Sequence, residues 1–104
     1  MKQYYAQQVK TIAKPGKRDE LIELLRGAIE ILERTPGCIY YLVSTTDEPD
    51  AIWVWELWAS KEAKDALATN PETAEAMKAL MPHIASTTDR TIMTVVEGFG
   101  IPKE

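Results

Sequence analysis

Ala51-Ile-Trp-Val-Trp-Glu-Leu-Trp58 decides the fold of this chain. A period of two residues puts Trp53, Trp55 and Leu57 on one face of a strand and Ile52, Val54, Glu56 and Trp58 on the other. Neither face reads as solvated, so the strand needs a cover on both sides. Helices of the same chain can supply one cover. A chain of 104 residues has too few to supply both and is expected to borrow the second. Glu56 is the single charge in the run, and a carboxylate in apolar surroundings must be paired, hydrogen-bonded or protonated. The face that carries it is the first place to look for chemistry.

Upstream, Cys38 to Thr45 is a second strand, with Ile39-Tyr-Tyr-Leu-Val43 again apolar on both parities. The polar connection Thr46-Asp-Glu-Pro-Asp50 is short enough to make the two strands an antiparallel hairpin. Residues 3–13 read as another strand, with Tyr5, Val9, Thr11 and Ala13 on one parity and Tyr4, Ala6 and Ile12 on the other. Lys14-Pro15-Gly16-Lys17 breaks it. Leu21, Leu24, Leu25, Ala28, Ile29 and Leu32 then recur at helical spacing, predicting a helix from about Arg18 to Arg34 that Thr35-Pro36-Gly37 stops.

Downstream, Ser60 is a candidate cap for a helix whose inner face is Ala63, Ala66 and Leu67. Asn70-Pro71 looks like a fresh cap followed by proline at the first helical position. Ala74, Met77, Leu80, Met81 and Ile84 form the stripe of a third helix, which Pro82 kinks or ends. Ser86 to Arg90 reads as a polar loop, Thr91 to Glu97 as the last strand, and Gly98 to Glu104 as a tail. The order is β-α-β-β-α-β with a broken second crossover. That is the α+β, ferredoxin-like arrangement of a four-stranded antiparallel sheet with helices on one face. It predicts a single domain over 1–104 with its core in about 3–98.

Composition narrows the function. A hydrophobic content of 45% suits a globular chain. The formal net charge is −4 and the 12 basic residues are scattered, which argues against a nucleic-acid partner. One cysteine excludes an internal disulfide. Met-Lys-Gln-Tyr-Tyr-Ala-Gln-Gln lacks an apolar signal core and no segment approaches spanning length, so the expectation is a cytoplasmic protein without membrane contact. His83 and Cys38, each the only one of its kind, share no metal-ligand spacing, and glycine-rich phosphate loops and a serine nucleophile elbow are lacking. No cofactor or metal is therefore expected.

The remaining candidates each carry two readings. Glu56 is either a general base or a structural group bonded to a lysine, arginine or tyrosine. Trp58 either walls a ligand pocket or fills core. His83, beside Pro82, suits proton transfer near neutral pH or is a capping or surface histidine. Tyr4, Tyr5, Tyr40 and Tyr41 put hydroxyls near both sheet faces, where they can orient a phenolic ligand or serve an interface. Trp53 and Trp55 point to an interface, while Cys38, Met77, Met81 and Met93 read as packing.

With these residues in view, the chain resembles the antibiotic biosynthesis monooxygenase family of small dimeric α+β barrel proteins. The resemblance rests on Lys14-Pro-Gly-Lys-Arg-Asp-Glu-Leu21 leading into the first helix, on Arg34-Thr-Pro-Gly-Cys38, and on Trp55-Glu-Leu-Trp-Ala-Ser-Lys-Glu-Ala63. It implies a homodimer through sheet faces, and a cofactor-independent oxidation by molecular oxygen of a small aromatic substrate such as a quinol or polyphenol. It also implies an apolar pocket between sheet and helices lined by Trp58, Leu67, Met77 and Tyr5, with Glu56 or His83 as the base. Aligned through Glu56 and Trp58, the positions where many members carry histidines hold Leu67 and Glu72 here, and a related subgroup's histidine falls at Lys64. The tryptophan and the haem-ligand histidine of haem-degrading relatives align near Leu67 and Met77, which disfavours haem degradation. The alternative within the same fold is a non-catalytic ligand-binding or isomerase-type protein.

Overall fold

The computed structural model describes residues 3–101, and the Pro102-Lys103-Glu104 end of the expected tail lies outside them. The chain runs β1 (Tyr4–Ala13), α1 (Arg18–Glu33), β2 (Cys38–Thr45), β3 (Ala51–Trp58), α2 (Lys61–Asp65), a 3-10 turn (Ala66–Thr69), α3 (Pro71–Leu80), a second 3-10 turn (Met81–His83) and β4 (Ile84–Val95). The strands form one antiparallel sheet in the order β2-β3-β1-β4, which is the α+β arrangement expected. The two predicted caps are present. Ser60 Oγ accepts from the Ala63 amide at 3.1 Å, and Asn70 Oδ1 accepts from the Glu72 amide at 2.9 Å, with Pro71 opening α3.

Pairing without a register shift carries the alternation of β3 into β1. Tyr5 faces Trp58, Gln7 faces Glu56, Val9 faces Val54 and Thr11 faces Ile52. On the other flank Tyr41 faces Glu56 and Val43 faces Val54. One sheet face therefore carries Val9, Ala13, Ile52 and Val54, and these pack with Leu21 and Leu25 of α1 and Leu80 of α3 into the buried core. The opposite face carries Trp53, Trp55, Leu57, Tyr40 and Leu42. There Lys10 Nζ lies 5.8 Å from the Trp53 ring centre, and the Tyr40 hydroxyl donates to the Gly100 carbonyl. Leu42 and Trp55 remain 54% and 43% exposed.

Two expectations are corrected at the C-terminal end. Ser86 to Arg90 is strand, not loop: Ser86, Thr87 and Thr88 pair with Ile12, Thr11 and Lys10. The polar run is tolerated because β4 lies at the sheet edge and all five of these residues remain exposed. Ile84 opens this strand instead of closing the third helix, because Pro82 ends regular helix at Leu80. The register shifts between Gln8 and Lys10, where Asp89 adopts φ +50°. This bulge resets which face each residue of β4 presents.

The turn into β2 also positions α2. Gly37 has φ +87°, and a Cβ there would sit 2.6 Å from Ala63 Cβ of α2. Its carbonyl accepts the Ala59 amide at 2.7 Å. Gly37→Ala meets both a left-handed backbone and a clash, so it is expected to destabilise the protein by about 2–4 kcal/mol. Urea unfolding measures this as a lower midpoint at unchanged slope. A loss below about 0.5 kcal/mol would contradict the close approach.

Candidate active site

Three strands place Tyr41, Glu56 and Gln7 side by side in one row on the helix side of the sheet. Gln7 is buried, at 5% exposure, and its Nε2 donates to Glu56 Oε2 at 3.0 Å. Trp58 is fully buried, and its Nε1 donates to Glu56 Oε1 at 3.1 Å. The partners of Glu56 are therefore an amide and an indole, not the lysine, arginine or tyrosine that a structural reading anticipated. Each carboxylate oxygen therefore accepts from one neutral donor. A carboxylate offers about four lone-pair sites, so acceptor capacity remains.

A cavity of about 270 Å³ lies between this sheet face and the helices. Leu25, Val54 and Leu80 supply apolar wall, and Glu56 and Tyr41 line it from the sheet. Of the residues expected at the site, Glu56, Leu67 and Met77 line the cavity, whereas Trp58, Tyr5 and His83 do not. Trp58 holds Glu56 from behind, and Tyr5 faces Trp58 across the strands. His83 is set apart on the turn before β4. Its Nε2 lies 3.4 Å from Glu20 Oε2 of α1, and its carbonyl accepts the Lys14 amide. Sequence reasoning missed Gln7, Thr73, Lys64 and Arg90 as cavity residues; of the four tyrosines it offered as able to orient a ligand, Tyr41 lines the cavity and Tyr4, Tyr5 and Tyr40 do not. For Gln7, the signal was its position on the parity of Tyr5 and Val9.

Among the described residues no group of three or more histidine, cysteine, aspartate or glutamate side chains is placed to hold a metal ion. None of the described helices is long and apolar enough to cross a membrane.

The sequence model of the antibiotic biosynthesis monooxygenase family matches residues 4–79, and the chain belongs to that family. Among solved structures, a Chloroflexus aurantiacus J-10-fl protein provisionally named an antibiotic biosynthesis monooxygenase shares 34% identity over 95% of this chain and 99% of its own, with a TM-score of 0.86. A conserved protein from Methanosarcina mazei Go1 shares 20% over 93% and 95%, with a TM-score of 0.76. SnoaB, a cofactor-independent oxygenase from Streptomyces nogalater, shares 12% over 96% and 99%, with a TM-score of 0.78. The last two likenesses are of fold. No curated protein matches the chain.

Tyr41 is the cavity's most perturbed group. Burial pushes its phenol well above the ordinary value, and the charges of Glu56 and then Cys38 add to the rise. Burial, then Glu56, likewise raises the Cys38 thiol. The Tyr41 hydroxyl has no hydrogen-bond partner among the described residues, so it is a neutral donor beside a carboxylate. The raised pKa fixes a sign. The folded state holds the Tyr41 proton more tightly, so this stabilisation is complete below the unfolded value of about 10 and is lost as pH rises toward the folded one. Unfolding free energy is expected to fall above pH ~10, and less steeply in Tyr41→Phe. Equal slopes in the two proteins would contradict the burial argument.

Proposed function

We propose that the protein is a cofactor-independent monooxygenase that oxidises a small aromatic substrate, a quinol or polyphenol, with molecular oxygen. The observation that carries this reading is the Glu56 carboxylate, held by hydrogen bonds from Gln7 and Trp58 at the wall of an otherwise largely apolar cavity. Membership of the family supports it. At Leu67, where many members are aligned with a histidine, the wall is apolar, which leaves Glu56 as the cavity's carboxylate base.

The substrate supplies the electrons in this reaction. Glu56 takes a phenolic proton, which raises the electron density of the ring. The anion passes one electron to oxygen, and the ring radical and superoxide then couple at a ring carbon. Loss of water from the resulting hydroperoxide breaks the O–O and C–H bonds and leaves a C=O. One oxygen atom stays in the product and the other leaves as water, so oxygen receives four electrons in all, each from the substrate. The neutral Tyr41 phenol is suited to donate a hydrogen bond to the developing oxyanion. The apolar wall orients the ring and excludes water.

Oxygen uptake is the test, with a panel of quinols and phenols, metal-stripped protein and an autoxidation control. Glu56→Gln is expected to lower the rate about 10²–10⁴-fold. The substitution leaves Gln7 or Trp58 facing an amide NH₂, so its thermal unfolding is compared with wild type first. Uptake no greater than the control across the panel would refute the oxygenase reading. Saturable binding without uptake would assign a ligand-binding protein. Full activity in a folded Glu56→Gln variant would remove Glu56 from the mechanism.

The same reading includes a homodimer built by pairing the uncovered sheet faces around a two-fold axis. Leu42, Trp55, Tyr40 and Met93 are 54%, 43%, 40% and 40% exposed on that face. Together they form an apolar patch contributed by β2, β3 and β4, of the kind soluble monomers keep to a few hundred Å². Light scattering is expected to give about twice the 11.7 kDa chain mass. Trp55→Asp is expected to give the chain mass, because the interface would bury an unpaired charge. A wild-type monomer at micromolar concentration would overturn the dimer.

A further inference from the structure

The distribution of cations singles out the cavity. Six of the described basic side chains are ion-paired at 2.6–3.6 Å to carboxylates. Arg18 donates to the Thr46 and Glu48 carbonyls. Among the described residues that leaves Lys14, Lys64 and Arg90 with no acceptor, apart from His83 beside Glu20. Two of these three, Lys64 and Arg90, line the cavity.

Local geometry explains why neither is neutralised among the described residues. On α2, Asp65 is taken by Lys61 at 2.6 Å, and Lys64 stays half-buried without a carboxylate. On β4, strict alternation would put Thr87 and Arg90 on opposite faces. The bulge at Asp89 lets both line the cavity. Asp89 itself accepts from the Thr88 hydroxyl and not from Arg90. The charged side chains of the cavity are then Glu56, Lys64 and Arg90, a net positive site in a chain of net charge −4. Thr73 Oγ1, in the same cavity, is buried without a hydrogen-bond partner. A buried hydroxyl without a partner is costly unless a ligand or water completes it, and the two cations beside it leave a ligand carboxylate free to pair with them.

We propose that the ligand of this cavity is an aromatic anion, a phenol or quinol bearing a carboxylate, with its ring against the apolar wall and its carboxylate held by Arg90 and Lys64. Glu56 repels such a ligand, but Gln7 and Trp58 occupy one site on each of its oxygens, and two cations outweigh one anion. The inference rests on the proposed oxidation for the fate of the ring and stands apart from it for binding.

Anaerobic calorimetry with hydroquinone and its ring-carboxylated counterpart, gentisate, separates the two. Wild type is expected to bind gentisate about ten-fold or more tighter at low salt, the usual size of a charge-assisted hydrogen bond, and the advantage is expected to shrink as salt is added. In the Lys64→Gln/Arg90→Gln double variant the two ligands should come within about three-fold of each other, with hydroquinone affinity held. The single variants apportion the effect, and thermal unfolding confirms that each is folded. Equal affinities in wild type, binding of neither ligand, or a gentisate preference that survives in the folded double variant would each overturn the proposal. Oxygen uptake with hydroquinone and no gentisate preference overturns this inference and leaves the oxidation standing. Gentisate preference without oxygen uptake does the reverse.

Discussion

The hydrogen-bonded array Gln7–Glu56–Trp58 is the constraint around which this structure is arranged. A carboxylate between a sheet and its covering helices is tolerable only if its oxygens are satisfied, because an uncompensated charge there costs several kcal/mol even after relaxation. Gln7 from β1 and Trp58 from β3 provide one donor each, at 3.0 and 3.1 Å. Both donors are buried, so the array belongs to the interlayer and not to the surface. Any slip of one residue between β1 and β3 would turn Gln7 to the other face and leave the carboxylate and the amide unpaired. The charge thus specifies strand register as well as site chemistry.

The two faces of the sheet divide the work. The helix side combines a tight core, with Leu21 and Ile52 fully buried, and an adjoining cavity whose polar groups come from different strands and helices. The other side keeps tryptophan, tyrosine, leucine and methionine near water. Lys10 belongs to this second face. Its ammonium pairs with Glu48 at 2.7 Å and lies 5.8 Å from the Trp53 ring centre, so one cation serves both a carboxylate and an aromatic face.

Local signals were readable where a side chain answers to its own neighbours. The period-two runs located β2 and β3 at the residues observed, because alternation in a half-buried strand is enforced by the pleat itself. Ser60 and Asn70 announced their helices because a cap satisfies amides only two or three residues away. Ser86 to Arg90 misled for the same reason. Serine, threonine and aspartate carry loop-like local preferences, and what makes them strand is pairing with Lys10 to Ile12, more than seventy residues away. His83 next to Pro82 had the right chemistry for proton transfer and sits against Glu20 instead.

By itself, then, the sequence determined the order of strands and helices, the face on which Glu56 lies, and the apolar character of both sheet faces, because each follows from spacing along one segment. Only the tertiary structure decided which groups meet Glu56, that Trp58 supports the carboxylate from outside the cavity, and that Lys64 and Arg90 face the same space. These depend on inter-strand register and on one bulge in an edge strand. A bulge is a property of two paired strands, and no periodicity within one of them encodes it.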